Sequence, residues 1–158
     1  MCPVAFVECE GREERGQGGG DGASYHNVPQ AQAAVRALEQ VLRDSEVTSC
    51  AILTPYNAQV RLLKSMLRGA NKQAMLDSGR LTISSVDGFQ GREADAVIFS
   101  TVRCNAQQRL GFVSDARRMN VALTRARRGL IVIGSSRTLC GDGNWDSWLR
   151  WLANASRN

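Results

Sequence analysis

The chain has 158 residues and a formal net charge of +5, and 43% of its residues are hydrophobic. This length corresponds to about one domain, residues 1–158, with a single hydrophobic core. No segment approaches the roughly 18 consecutive apolar residues of a membrane helix, and the N-terminal residues do not resemble a signal peptide. We therefore expect a globular protein in the cytoplasm or nucleus, without a membrane partner.

Arginine carries almost all of the positive charge, since Lys64 and Lys72 are the two lysines. A basic chain favours an anionic partner, and nucleic acid is the commonest one. Guanidinium groups also suit bidentate contacts with phosphate. GC-rich coding would produce the same surface arginines equally well, so composition alone does not decide between the two.

The cysteines are scattered and form no CxxC pair, and His26 is the single histidine. This pattern argues against a zinc site, and we predict no metal ligands. It is typical of reduced thiols in the cytosol or nucleus. The five cysteines are Cys2, Cys9, Cys50, Cys104 and Cys140.

The first half of the chain predicts two strands and two helices. Val4–Cys9 has the alternation of a strand, and residues 11–23, rich in glycine and charge, predict a flexible loop. Pro29 can open a helix, because alanine, leucine and valine then recur at helical spacing. The apolar run Cys50–Leu53 predicts a strand buried on both faces, and Thr54–Asn57 ends it and begins a second helix.

The second half continues the alternation of strands and helices. Leu81–Ser85 and Ala94–Val102 predict strands, and Gly88–Gly91 lies in the loop between them. An arginine-rich helix is predicted at Asp115–Arg127, followed by a strand at Gly129–Gly134. A closing amphipathic helix carries three tryptophans that we interpret as packing anchors: Trp145, Trp148 and Trp151.

This order predicts an α/β fold with three layers, a parallel β-sheet covered by helices on both faces. In such folds, ligands bind at loops beyond the carboxyl ends of the strands. We therefore expect the chemistry in Thr54–Asn57, Ser84–Arg92, Arg103–Leu110 and the arginine-rich helix.

The arginine-rich helix is the most informative segment, RRMNVALTRARR. On a helical wheel, one apolar face would pack on the sheet, and Arg118 and Arg125 would share a flank of it. Arg125 would then lie beside the packed face, where a cleft between domains could use it. A solvated charged flank explains the same pattern, and the periodicity does not separate the two.

Four segments in order resemble the motifs of a known family. Thr82–Arg103 (TISSVDGFQGREADAVIFSTVR) resembles motif V of superfamily 1 helicases, and Arg117–Gly134 (RRMNVALTRARRGLIVIG) resembles their motif VI. Ile52–Leu63 (ILTPYNAQVRLL) looks like motif IV, and Ser24–Asn27 (SYHN) is similar to the short motif after the first strand. The segments GFQGRE and NVALTRAR resemble the branch that contains the nonsense-transcript regulator and senataxin.

The resemblance implies the second, C-terminal RecA-like domain of a P-loop NTPase motor, a domain without a Walker A motif. Such helicases move 5′ to 3′ on single-stranded RNA or DNA, and they bind ATP between two RecA-like domains. By the motif match, Arg125 would be the catalytic arginine finger on the γ-phosphate. Glu93 would bind the ribose, and Gly91 would allow close approach of the nucleotide. The residues of the nucleic-acid groove would be Thr54, Pro55, Ser85 and Asp87.

The sequence contains no GxxxxGK[ST] loop and no Walker B acid. The resemblance therefore implies that ATP and Mg²⁺ are bound mainly by an N-terminal RecA-like domain in cis. We do not expect the chain to hydrolyse ATP alone, whether it is a fragment, a truncated gene product or a separate domain. Gln30 stands where the family usually has glutamate, which puts that local contact in doubt.

Two alternatives remain at this stage. The chain could be a catalytically inactive module, derived from a helicase, that binds nucleic acid or protein. A metal-dependent nuclease using Glu93 and Asp95 is remote, because the acids are scattered and histidine support is lacking.

Overall fold

The computed structural model describes residues 2–16, 24–69 and 72–157. Five strands form a parallel sheet in the order β1-β7-β6-β4-β5, and β2 and β3 form a separate antiparallel pair. In chain order the strands are β1 (Val4–Glu8), β2 (Glu14–Arg15), β3 (Tyr25–His26), β4 (Cys50–Thr54), β5 (Leu81–Ser85), β6 (Ala94–Ser100) and β7 (Ala126–Gly134).

Helices connect the strands and cover both faces of the sheet. They are α1 (Val28–Val41), α2 (Asn57–Gly69), α3 (Gln73–Asp77), α4 (Ala116–Leu123), α5 (Ser136–Leu139) and α6 (Gly143–Ala155), with 3₁₀ turns at Asp87–Phe89 and Gly111–Ser114. Within the described ranges, no helix is long and apolar enough to cross a bilayer.

The predicted single core consists of two layers, one on each face of the sheet, and strand β4 shows how they arise. Its side chains alternate, so Cys50 and Ile52 join the core under α1 and α2, while Ala51 and Leu53 join the core under α4 and α6. All five residues of the strand are buried. The predicted three-layer α/β fold with a parallel sheet is confirmed.

Helix α1 begins as the sequence predicts. The side chain of Asn27 caps it by accepting the backbone N–H of Gln30 at 3.0 Å, and Pro29 lies in the first turn. Proline is tolerated there because its missing N–H would have no helical partner.

The predicted arginine-rich helix is wrong in its last turn. Helix α4 ends at Leu123, and β7 begins at Ala126, three residues before the predicted strand. The Thr124 hydroxyl donates to the carbonyl of Asn120 at 2.7 Å, and Ala126 pairs with Ala94 of β6. Pairing with the sheet thus overrides the helical periodicity, and Arg118 and Arg125 do not share a helix flank.

Other boundaries shift by a few residues. Strand β1 ends at Glu8 instead of Cys9, and β6 ends at Ser100, because Val102 has a φ of +68° that no strand accommodates. The predicted loop at 11–23 is wrong at Glu14–Arg15, which form β2; residues 17–23 lie outside the described residues.

The tryptophans of α6 divide between core and surface. Trp145 is fully buried and stacks on Phe99 with ring centroids 6.1 Å apart, while its Nε1–H donates to the carbonyl of Val113. Trp148 is half-buried against Phe6 and Trp145. Trp151 is 47% exposed, so interpreting it as a packing anchor is wrong.

Candidate functional site

The predicted site residues lie at two opposite edges of the sheet. Thr54 and Ser85 end β4 and β5 at the carboxyl edge, whereas Glu93 and Arg125 immediately precede β6 and β7 at the amino edge. The expectation that all the chemistry lies beyond the carboxyl ends is therefore wrong for Glu93 and Arg125. The cause is topological, since each of these residues feeds the start of a parallel strand.

Arg125 occupies the turn between α4 and β7. Its carbonyl accepts the backbone N–H of Ala94 at 3.2 Å, which fixes the turn against β6. Its guanidinium donates to the Thr124 hydroxyl at 3.0 Å, and its buried Nε has no hydrogen-bond partner among the described residues. No carboxylate in the described part of the chain forms an ion pair with it.

Gly91 and Glu93 lie on the segment that leads into β6, at the same edge as Arg125. Both are exposed. Gly91 has a φ of +74°, and apart from its two chain neighbours no described residue has an atom within 4 Å of the position a Cβ would take. The backbone there is open to close approach by a ligand.

The next arginines are neutralised by acids. Arg127 forms an ion pair with Asp95 at 3.0 Å, and Arg128 forms one with Glu46. The arginines of this cluster therefore differ in their partners. Arg127 and Arg128 have carboxylate partners, whereas Arg125 has none among the described residues.

Asp95 anchors the amino edge of the sheet. Its carboxylate accepts the backbone N–H and the hydroxyl of Thr48, at 2.9 and 2.8 Å, and the backbone N–H of Ser49 at 3.2 Å. The hydrogen bonds from Thr48, together with those from Ser49 and the charge of Arg127, lower the pKa of Asp95 to about 2. Across the described ranges, no group of three or more His, Cys, Asp or Glu residues could hold a metal ion.

The predicted groove residues differ in their exposure. Thr54 is fully buried, and its hydroxyl accepts the backbone N–H of Tyr56 at 3.4 Å. Pro55 is half-buried. Ser85 is also half-buried, and its hydroxyl accepts the backbone N–H of Gly88 at 3.1 Å. Thr54 therefore shapes the loop from inside, while Pro55 and Ser85 reach the surface.

Asp87 is exposed but paired. Its two carboxylate oxygens accept from Nε and Nη2 of Arg118, at 3.0 and 2.9 Å. Arg118 also lies over the ring of Phe112, 5.0 Å from its centroid, and 3.8 Å from Asp115. This bidentate contact joins the first turn of α4 to the segment after β5.

The segment Val86–Glu93 links the two edges of the sheet. It leaves the carboxyl end of β5 and enters the amino end of β6, with Val86 and Phe89 buried in the core along the way. Helix α4 runs in the same sense, from Arg118 beside Asp87 to the turn that holds Arg125. Both predicted sites are thus attached to the same two segments.

A buried polar network lies at the carboxyl edge. The motif resemblance pointed to its Asn27 and Gln30, but not to their contacts with Gln59, Ser100 and Val102. Asn27 donates to the carbonyl of Val102 at 2.8 Å, and its backbone N–H donates to the side chain of Gln59 at 2.9 Å. The side-chain oxygen of Gln30 accepts from Ser100 at 2.9 Å and from the backbone N–H of Val102 at 2.8 Å. These contacts hold Val102 in its unfavourable left-handed conformation.

Gln30 keeps one group unsatisfied. Its Nε2 is buried and has no partner in the described part of the chain. Both contacts that its side chain makes are with donors, which is the arrangement a carboxylate would also fit. The sequence left the local contact at position 30 in doubt, because the family usually has glutamate there. The structure shows that the contact exists and that the amide makes it through its oxygen.

A second cluster surrounds Arg103, which is 6% exposed. Arg103 forms an ion pair with Glu13, donates to the Tyr56 hydroxyl at 3.2 Å and lies 4.1 Å from the ring centroid of Tyr25. Burial raises the pKa of Tyr56 above its ordinary value, so its hydroxyl keeps its proton and donates to the carbonyl of Leu110. Glu13 lies in the predicted loop, and no local pattern indicated its role.

Comparisons with known proteins agree with this architecture. Residues 1–137 match a family described as an AAA domain. "Regulator of nonsense transcripts 1" of Dictyostelium discoideum is 36% identical over 153 residues, which are 96% of this chain and 11% of that protein. "DNA polymerase alpha-associated DNA helicase A" of Saccharomyces cerevisiae is 44% identical over 105 residues, 65% of this chain and 15% of that protein.

A third relative is also similar over most of this chain. An uncharacterized ATP-dependent helicase of Methanocaldococcus jannaschii is 35% identical over 149 residues, 94% of this chain and 20% of that protein. The chain thus spans a fifth or less of the length of these relatives.

Proposed function

Because the chain belongs to the AAA domain family, as a C-terminal RecA-like domain of the superfamily 1 helicase type, we propose that it supplies half of an ATP-dependent motor. The motor moves 5′ to 3′ on single-stranded RNA or DNA in the cytoplasm or nucleus. The other half is an N-terminal RecA-like domain that holds most of the ATP and the Mg²⁺.

The observation that carries this proposal is the state of Arg125. Its guanidinium has no carboxylate partner in the described ranges, while Arg127 and Arg128 beside it are paired. A phosphate-binding arginine needs this freedom, because an internal ion pair would compete with the phosphate. The exposed Glu93 and the open backbone at Gly91 lie at the same edge, where a nucleotide would need them.

Arg125 acts when the two domains close on ATP. The guanidinium then faces the γ-phosphate and stabilises the charge that develops on it, which an arginine finger does by about 10³–10⁵ in rate. Glu93 holds the ribose, and Gly91 lets the backbone approach. Hydrolysis is coupled to domain motion, because Arg125 reaches its phosphate only in the closed state.

The carboxyl edge contacts the nucleic acid through Pro55 and Ser85, with Thr54 and Asp87 shaping their loops. Contacts from backbone and hydroxyl groups go to phosphate and sugar, so binding is independent of sequence and falls as salt rises. A conformational change at one edge is transmitted to the other through the segment Val86–Glu93, because this segment borders both edges.

The test joins this chain to a matching N-terminal RecA-like domain and measures the ATPase activity stimulated by nucleic acid. Arg125→Ala is expected to lower kcat by about 10³ or more. Arg128→Ala is the matched control, because it removes an arginine from the same edge that is already paired with Glu46.

Equal activity of Arg125→Ala and the unchanged protein would reject the arginine-finger assignment. A joined protein without any stimulated ATPase would favour the alternative of a binding module that has lost catalysis.

A further inference from the structure

A basic cleft lies along the free edge of β5. None of its lining residues is a predicted site residue, although Arg92 stands between Gly91 and Glu93 in the chain. Among the strands of the described residues, β5 pairs with β4 alone, so its other side is uncovered by the sheet. The cleft has a volume of about 410 Å³. Its charged lining consists of Lys64 and Arg68 of α2 and Arg92 of the segment before β6, with Gln73 and Thr82 as polar neighbours.

The positive charge of this cleft is not compensated locally. No acidic side chain lines it, and none of its three cations forms an ion pair with a described residue. Lys72 differs, because it is paired with Glu39 at 3.0 Å. Concave, uncompensated positive charge concentrates anions from solution.

Arg92 is held by neutral contacts that leave its charge free. Its guanidinium donates to the Thr82 hydroxyl at 3.3 Å and lies over the ring of Phe89, 4.9 Å from the centroid. Both contacts orient the side chain along β5 without a carboxylate. The arginine is therefore positioned before any ligand arrives, which lowers the entropy lost on binding.

Helix α2 connects the cleft to the carboxyl edge of the sheet. It begins at Asn57, two residues after Pro55, and its exposed Arg61, Lys64 and Arg68 recur at the spacing of one helix face. Arg61 and Arg68 are about 10 Å apart along the axis at 1.5 Å per residue. A positive stripe thus leads from the proposed nucleic-acid edge to Arg92.

We propose that this basic cleft, formed by Lys64, Arg68 and Arg92, binds the phosphodiester backbone of nucleic acid beyond the motif groove. The proposal rests on the function above. A stripe of about 10 Å can contact about two successive phosphates of one strand, because phosphates that advance about 3.4 Å along a duplex axis also wind around it. The lining offers cations and polar groups to phosphates, so the contact is independent of base sequence.

The experiment compares the full chain with the double variant Lys64→Gln/Arg68→Gln and with the control Arg36→Gln/Arg43→Gln. The control removes the same charge from α1 and the turn after it, where Arg36 and Arg43 are exposed and line no cleft described above. Binding of fluorescein-labelled single-stranded and duplex oligonucleotides is measured by anisotropy over a salt series. Circular dichroism melting confirms that each variant folds.

The slope of log K against log salt is negative, and loss of two phosphate contacts makes it shallower. The expected change is about 1.4 for a single strand and about 1.8 for a duplex. The control keeps the slope of the unchanged chain. A change with the duplex alone places duplex in the cleft, and changes of about 1.8 with the duplex and 1.4 with the single strand place either nucleic acid there; both results support the proposal. Arg92→Gln, tested separately, makes the slope shallower by less than one.

Equal slopes for the cleft variant and the unchanged chain would overturn the proposal, as would an equal loss in the control. Stronger competition by poly-glutamate than by oligonucleotide would also overturn it, in favour of an acidic protein partner. The ATPase of the joined two-domain protein keeps the proposals separate: absence of stimulated activity rejects the motor function, whereas intact stimulation with unchanged slopes rejects the cleft alone.

Discussion

The two edges of the sheet use their polar residues in opposite ways. At the carboxyl edge, Asn27, Gln59 and Arg103 are buried and bonded to other parts of the chain. At the amino edge, Arg125 leaves its buried Nε without a partner among the described residues, and Glu93 is exposed. These three carboxyl-edge residues are satisfied within the chain, although Nε2 of Gln30 beside them has no described partner, whereas Arg125 at the amino edge keeps a donor that an external ligand can satisfy.

This difference separates residues that stabilise from residues that act. A buried polar group stabilises only when it is hydrogen-bonded, so the network around Asn27 fixes the loops of the carboxyl edge. An unsatisfied buried donor costs stability, and in the proposed function the donor of Arg125 is satisfied by phosphate. Substitutions at the two edges should therefore have different consequences for folding.

The largest expected effect on stability is at the carboxyl edge. Arg103→Ala should lower the free energy of unfolding by about 3–5 kcal/mol, because it leaves the nearly buried Glu13 without its charge partner. Arg125→Ala should change it by about 0.5 kcal/mol or less, since no described ion pair is lost. Urea unfolding of both variants measures the difference, and equal losses would contradict the contrast between the edges.

A medium effect is expected at Asp95, the satisfied acid of the amino edge. Asp95→Asn should cost about 1.5–3 kcal/mol at neutral pH, the range for hydrogen bonds to a charged group. The pKa of Asp95 is about 2 in the folded chain against an ordinary 3.8, so its contribution is complete above about pH 4. That contribution is lost as the pH falls toward 2.

Thermal unfolding at several pH values tests this point. The unchanged chain should lose stability between about pH 4 and 2 more steeply than Asp95→Asn, because an amide does not titrate. Glu93→Gln is the control, since this exposed acid has no described ion-pair partner. Parallel pH profiles for the chain with and without Asp95 would refute the assignment.

The smallest effect is expected for Asp87 and Arg118, which connect the segments that border both edges. The pair is partly exposed, with side chains 55% and 32% accessible. A double-mutant cycle with Asp87→Asn and Arg118→Gln should give a coupling energy of about 0.2–1 kcal/mol in urea unfolding. A coupling above about 2 kcal/mol would mean that this contact is structural in the way that Arg103 and Glu13 are.

The elements with continuous apolar runs could be predicted from the sequence, because burial on both faces leaves a direct composition signal. Cys50–Leu53 is an example, and it matches strand β4. The turn at Arg125 could not be predicted in this way. The helical spacing continues through Ala126, but this residue pairs with Ala94 of β6 and therefore belongs to β7.

Contacts between residues that are far apart in the chain also could not be predicted from local sequence patterns. Glu13 and Arg103 are 90 positions apart, and Glu13 lies among glycines and charges that indicate a loop. Motif similarity singled out Arg125, Glu93 and Gly91, yet it carried no information on which arginines are paired. That distinction depends on Asp95 and Glu46, which lie outside the quoted motif VI and become neighbours only in the folded sheet.

The connection from β5 to β6 is only slightly longer than the distance it has to span. These strands are not neighbours, because β4 lies between them, and the register places Ser85 and Ala94 about 22 Å apart. The nine steps between them, including the 3₁₀ turn, reach about 26 Å at most. The segment behaves as a short tether, so a shift at one end has to be matched at the other within a few ångströms.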